Sequence, residues 1–158
     1  MTSGLALLLA FLIGVIAGLR SFTAPAVVCW AAHLGWINLH ASPLSFMGST
    51  AAAIIFTIFA LVELTADKLP KTPSRTAPFP LTVRVIFGAL SGAGLGVAGG
   101  QSLALGAALG GIGAVAGAFA GYETRRRIVA ASKLPDFPIA LLEDAVAIGG
   151  GLLIVSRF

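Results

Sequence analysis

The sequence predicts an all-α polytopic membrane protein of about six transmembrane helices packed through glycine-rich stripes. Three observations predict it. Hydrophobic residues make up 58% of the chain and charged residues only 10%, with a mean hydropathy of +1.00, which lies outside the range of soluble domains. The apolar residues gather in six runs, most of them close to the ~17–25 residues that a spanning helix needs. Between 84 and 121, glycine recurs at four-residue steps: Gly88, Gly92, Gly96 and Gly100, then, after Gln101-Ser102, Gly106 with Gly110, and Gly113, Gly117 and Gly121. On a helix such positions share one face, so each run leaves a stripe without side chains. In water each interior glycine costs ~1 kcal/mol relative to alanine. In a bilayer the backbone must satisfy its hydrogen bonds internally, so the helix forms anyway and the bare stripe lets another helix approach. Residues 84–121 therefore read as a tightly packed helical hairpin on which the other helices lean.

The runs cover 4–19, 23–38, 46–66, 83–100, 102–122 and 137–156 of a single domain, 1–158. The first opens on Met-Thr-Ser-Gly without the basic region of a signal peptide, so it reads as a retained helix. The second is short and carries Pro25 and His33. It is either a re-entrant or tilted segment or, the reading we favour, a short span entered through proline in its first turn. Residues 67–82 form the longest loop, and four prolines stiffen it toward a polyproline-like strap. It separates halves 1–66 and 83–158, each with three segments. An odd number per half would invert the second, a 3+3 inverted repeat of the kind many transporters use; residues 13–19 are similar to 87–93, although Gly/Ala/Leu-rich helices also match by chance.

The loops orient the chain. Arg20, then Lys68, Lys71, Arg75 and Arg84, then Arg125, Arg126, Arg127 and Lys133 fall on one side, and only Arg157 of the ten basic residues falls on the other. Positive-inside bias makes that side cytoplasmic and puts both termini outside. Trp36 is then expected at the outer interface and Tyr122 at the inner one.

Several function classes are disfavoured. The net charge of +4 sits in short loops between apolar runs, not on a nucleic-acid-binding face. The single Cys29 allows no internal disulfide. His33 and His40 have no acidic or cysteine neighbour to complete a metal site, and His33 beside Trp30 and Trp36 reads as an interfacial residue. No Gly-Lys-Ser/Thr follows the glycines, and no Ser-His-Asp or Cys-His arrangement is present. We expect no catalytic residues, no cofactor and no metal.

What remains is a set of charges in the predicted cytoplasmic third. Arg20 ends the first segment, Glu63 and Asp67 end the third one turn apart, and Glu143 and Asp144 lie roughly two turns into the sixth. Acidic groups within a span are costly and face protein or water, not lipid. Adjacent residues on a helix point ~100° apart, so one small contact cannot turn both Glu143 and Asp144 away from lipid, and at least one is expected to face a cavity or a partner helix. One reading is a polar site open to the cytoplasm, with Arg20 binding an anionic group and the carboxylates binding protons or cations. The other is a set of ion pairs that pins helix ends together, with Arg20 snorkelling to headgroups. To decide between them, Arg20 is expected to be drawn to Glu63 or to Glu143-Asp144 across the helix ends.

Gly18-Leu-Arg-Ser-Phe-Thr-Ala-Pro25, Ala32-His-Leu-Gly-Trp36, Glu63-Leu-Thr-Ala-Asp-Lys-Leu-Pro70 and Leu142-Glu-Asp144 resemble small bacterial membrane proteins catalogued as domain of unknown function 4126. The resemblance covers most of the chain and implies an integral inner-membrane protein without an assigned activity. The expected function is a small transporter, channel or flippase-like permease with its site at Arg20, Glu63, Asp67, Glu143 and Asp144. The alternative is a non-transporting scaffold that holds a lipid or a partner through the same charges. Expected partners are membrane lipids and a small-molecule or ion substrate, with a homo-oligomer allowed and no nucleic acid.

Overall fold

A computed structural model describes residues 1–66, 74–132 and 136–158. These residues form six α-helices and one short 3-10 turn, without a strand among them: α1 (Ser3–Leu19), α2 (Thr23–His33), the turn Ser45–Gly48, α3 (Thr50–Ala66), α4 (Pro78–Ala98), α5 (Leu103–Ser132) and α6 (Asp136–Val155). Pro78–Ala98, Leu103–Ala131 and Phe137–Val155 are long and apolar enough to cross a membrane. Helices α1 and α3, at 17 residues each, are apolar but shorter.

Thr2 starts α1 by accepting the Leu5 N–H on its hydroxyl at 3.4 Å. The helix stops where Arg20 turns extended, at φ −140° and ψ 111°. Helix α4 starts with Pro78 in its first turn, where a missing N–H removes no helical bond.

Helices α1, α4 and α5 form the centre, and α2 lies between α3, α4 and α6. The central helices meet nearly backbone to backbone. A Cβ on Gly92 would stand 2.5 Å from the Gly106 carbonyl, and one on Gly96 would stand 2.9 Å from the Gly106 Cα. One on Gly88 would come within 2.7 Å of the Ala114 Cβ. On α5, Gly110 faces Gly88 and Gly92, while Gly113 and Gly117 face the α1 carbonyls of Phe11 and Val15. Glycines thus open α5 on two sides, one toward α4 and one toward α1. Around this centre, Ile13, Val28, Met47, Leu95 and Val155 are fully buried.

Several expectations need correction. Segment two is not a full-length span: α2 has 11 residues, which rise only ~16 Å against a ~30 Å hydrocarbon core, and Gly35 at φ 77° ends it. Residues 78–82 are not strap but the opening of α4. Segment five continues ten residues beyond 122, to Ser132. Gly100 is not a packing position; it turns the chain between α4 and α5 at φ 72°, with open space where a Cβ would go. Gly121 packs on Leu19, Arg75 and Glu143 side chains, not on a helix backbone.

Candidate functional site

The helix directions gather one set of side chains at one end of the bundle. The C-terminus of α1, the start of α2, the last turn of α3, the start of α4, the C-terminal third of α5 and the first half of α6 all meet there. The hub is the turn at 20–22, where α1 has ended and α2 has not yet begun. Arg20 N–H still bonds the Ile16 carbonyl, but the Ser21 and Phe22 N–H groups have no helical acceptor and need another. Glu63 supplies it: Ser21 N–H donates to Glu63 Oε1 at 2.7 Å and Phe22 N–H to Oε2 at 2.9 Å. A carboxylate there also lies at the positive end of the α2 dipole. Ring contacts of Phe22 with Phe59 and Phe87, at 5.2 and 4.8 Å between centroids, clamp the turn between α3 and α4.

Three buried arginines surround the turn. Arg20, with no exposed surface, donates from Nε to Asp144 Oδ1 at 2.7 Å, and its Nη2 lies 2.6 Å from the same oxygen and 3.7 Å from Glu143 Oε2. Arg84, in the second turn of α4, donates to the Gly18 carbonyl at 3.1 Å and to the Pro80 carbonyl at 3.3 Å, and its Nη2 lies 3.6 Å from Glu63 Oε1. Arg75 forks onto both oxygens of Glu143, with Nη2 to Oε2 at 2.9 Å, and Arg125 Nη1 lies 3.5 Å from that same Oε2. Glu143 and Asp144 divide these partners by pointing to different sides of α6. Gly121 leaves space beside them, since a Cβ there would stand 2.5 Å from Leu19 Cδ2, 2.9 Å from Arg75 Nη1 and 3.3 Å from Glu143 Oε1.

Arg20, Glu63, Glu143 and Asp144 therefore come together, and Asp67 lies outside the described residues. Of the two partners expected for Arg20, the structure shows Glu143-Asp144 and gives Glu63 to Arg84 and the α2 N-terminus. Arg75, Arg84 and Arg125 belong to the same cluster, although the sequence reading used them only for orientation. Arg84 carried a usable signal: it lies in an apolar stretch, where the reasoning that singled out Glu143 applies equally. Arg75 carried none, since its partner is 68 residues away.

Such an arrangement can hold the helix ends together, and it can exchange partners. Removing one member of a buried ion pair costs about 3–5 kcal/mol, because the other charge is left in a poor solvent. A proton on a carboxylate, or an outside anion competing for a guanidinium, acts on the same balance. Thr23 Oγ1, in the first turn of α2, is buried without a hydrogen-bond partner among the described residues.

At the other end the polar contacts are local. Trp30 Nε1 donates to Thr57 Oγ1 at 2.9 Å, and His33 Nδ1 lies 3.2 Å from the Gly48 carbonyl. Among the described residues no three His, Cys, Asp or Glu side chains converge as metal ligands would. A cleft of about 260 Å³ lies between α5 and α6, with Arg125 and Glu143 in its wall.

The chain belongs to the family described as domain of unknown function (DUF4126), whose profile matches residues 7–156. No curated protein and no solved structure matches it.

Proposed function

We propose that this chain is a small, non-enzymatic permease of the bacterial inner membrane, with both termini periplasmic and the ion-pair cluster acting as its cytoplasmic-side gate. One observation carries the reading: α2, an 11-residue helix too short to span, opens on a carboxylate at a turn flanked by the buried Arg20 and Arg84. Discontinuous helices whose N-termini face anionic groups are how many secondary transporters hold substrate. In this reading Glu63 occupies the α2 N-terminus at rest, and Arg20 with Asp144 holds the turn against α6. A small anion competing for Arg20, or a proton taken up by Asp144 or Glu143, loosens that hold and frees the turn to move. No cofactor enters the scheme. The glycine contacts of α1, α4 and α5 serve in it as a rigid seam against which α2, α3 and α6 shift.

A scaffold that transports nothing is the second reading, and one observation favours it. Glu63, Glu143 and Asp144 each already meet a guanidinium. The two separate in proteoliposomes. Uptake and current are measured across a panel of small anions under an imposed proton gradient, for the wild type and for the neutral pair Arg20→Gln/Asp144→Asn. The permease reading expects flux from the wild type and none from a folded neutral pair. A neutral pair that keeps its stability and fully complements a deletion strain's phenotype overturns that reading and leaves the charges as structural pins.

A further inference from the structure

The cleft between α5 and α6 shares Arg125 and Glu143 with the ion-pair cluster but lies apart from the turn at 20–22 that the gate reading moves. Two helix faces frame it: Gly121, Thr124, Arg125 and Ile128 on α5, and Ile139, Leu142, Glu143 and Val146 on α6. Each set recurs at three- and four-residue steps, so the faces look at each other across the gap. They do not close it, because α6 packs mainly on α1 and α2 and hardly touches α5. Leu142 and Val146 are 63% and 54% exposed, so the cleft opens sideways between the helices, where a bilayer would lie.

The groove holds about 260 Å³ and is open along one side, so whatever surrounds the helices at that depth fills it. Water fills such a space only where two to four polar partners await each molecule, and these walls are mostly aliphatic. Depth adds a second constraint. The apolar part of α5, from Leu103 to Gly121, rises ~28 Å, close to the ~30 Å of a hydrocarbon core. Arg125 then falls one turn past the hydrocarbon boundary, where lipid phosphates lie, while Val146 stays among the chains. The helix end there reads Glu123-Thr-Arg-Arg-Arg127, with the Arg126 and Arg127 side chains 64% and 77% exposed. Arg125 Nη1 lies 3.5 Å from Glu143 Oε2 in the same wall, so three arginines stand against two glutamates, and the remaining positive excess complements a negative headgroup better than a zwitterionic one.

We propose that the α5–α6 cleft is a lipid site: it holds one acyl chain of an anionic phospholipid of the surrounding membrane, with the lipid phosphate at Arg125. The site stands whether or not the protein is a permease.

The test is native mass spectrometry of the full chain released from nanodiscs made of equal parts phosphatidylglycerol and phosphatidylcholine. The expected result is one retained phosphatidylglycerol per chain, in excess over phosphatidylcholine on the order of tenfold, the ratio that ~1.4 kcal/mol of headgroup preference gives. Val146→Trp, which places a ring in the cleft from a half-exposed position, is expected to remove the retained lipid at unchanged thermal stability. Arg125→Gln is expected to keep a retained lipid but lose the headgroup preference. Equal retention of both lipids by the wild type, or undiminished retention by folded Val146→Trp, overturns the proposal. Should Val146→Trp not fold, Arg125→Gln decides alone, and an unchanged phosphatidylglycerol excess in that variant overturns the Arg125 contact and with it the site.

Discussion

Arg20→Gln is the perturbation that reads the cluster most directly. The guanidinium has no exposed surface and places Nε 2.7 Å and Nη2 2.6 Å from Asp144 Oδ1. Glutamine keeps a polar end but no charge, and it leaves Asp144, 6% exposed, without its closest cation. Breaking a buried pair from one side costs about 3–5 kcal/mol. Asp144 makes other contacts, which places the expected loss near ~3 kcal/mol. The neutral pair Arg20→Gln/Asp144→Asn removes the charge from both sides, and a coupling of about 1–3 kcal/mol should return. The assay is equilibrium unfolding in mixed micelles with rising dodecyl sulfate, followed by far-UV circular dichroism on both single variants and the double. If Arg20→Gln unfolds with the wild type, or if the double variant loses the sum of the two singles, Arg20 and Asp144 are not an energetically coupled buried pair.

The glycines give a contrast within one residue type. Gly92→Leu puts a branched side chain where a Cβ alone would already stand 2.5 Å from the Gly106 carbonyl, so it should lower the unfolding midpoint steeply. Gly149→Ala, where a Cβ meets nothing within 4 Å, should raise stability by about 0.5–1 kcal/mol in the same assay; unchanged stability of Gly92→Leu would show that the stripe faces lipid. Topology is tested in a Cys29→Ser background, in which Ser74→Cys should react with an impermeant maleimide only after the cytoplasmic face is opened. Labelling of that cysteine from the periplasm of intact cells reverses the orientation.

How much of this was legible in the sequence depended on whether a residue's role was local. Glu143, Asp144, Glu63 and Arg20 stood out because a charge beside or within an apolar run has few tolerable places to go. Which acid Arg20 meets was open, since that choice is fixed by how α6 lies against α1 and no spacing encodes it. The end of α2 was misplaced because Leu34, Trp36 and Ile37 continue the apolar run, whereas Gly35 adopts a positive φ that stops the helix. The end of α5 was misplaced for the opposite reason. Hydropathy falls at Glu123, but glutamate, arginine and alanine are good helix formers, and Glu123 pairs with Arg126 and Arg127 at the spacings that support a helix. Pro78 and Pro80 looked like loop residues and lie in the first turn of α4, the one part of a helix that tolerates them. Gly121 looked like one more packing glycine; that it clears room for Arg75 and Glu143 depends on a contact 68 residues long in sequence.

The span of the Arg20–Asp144 bond, 124 residues, has a consequence for how the protein is made. At ~5–20 residues per second, a ribosome delivers Asp144 roughly 6–25 s after Arg20. Through that interval α1 stands in or near the insertion machinery with an arginine at its end that has not met Asp144. The side chain can wait by reaching toward headgroups, as long basic residues do. Docking it is then a late event that requires α6, and a helix made long after α1 completes the turn at 20–22. A nascent chain cut short before residue 143 would insert five helices yet lack both carboxylates that bind Arg20 and Arg75. Such a product would be incomplete at that end of the bundle, where the α6 side of the cluster is missing.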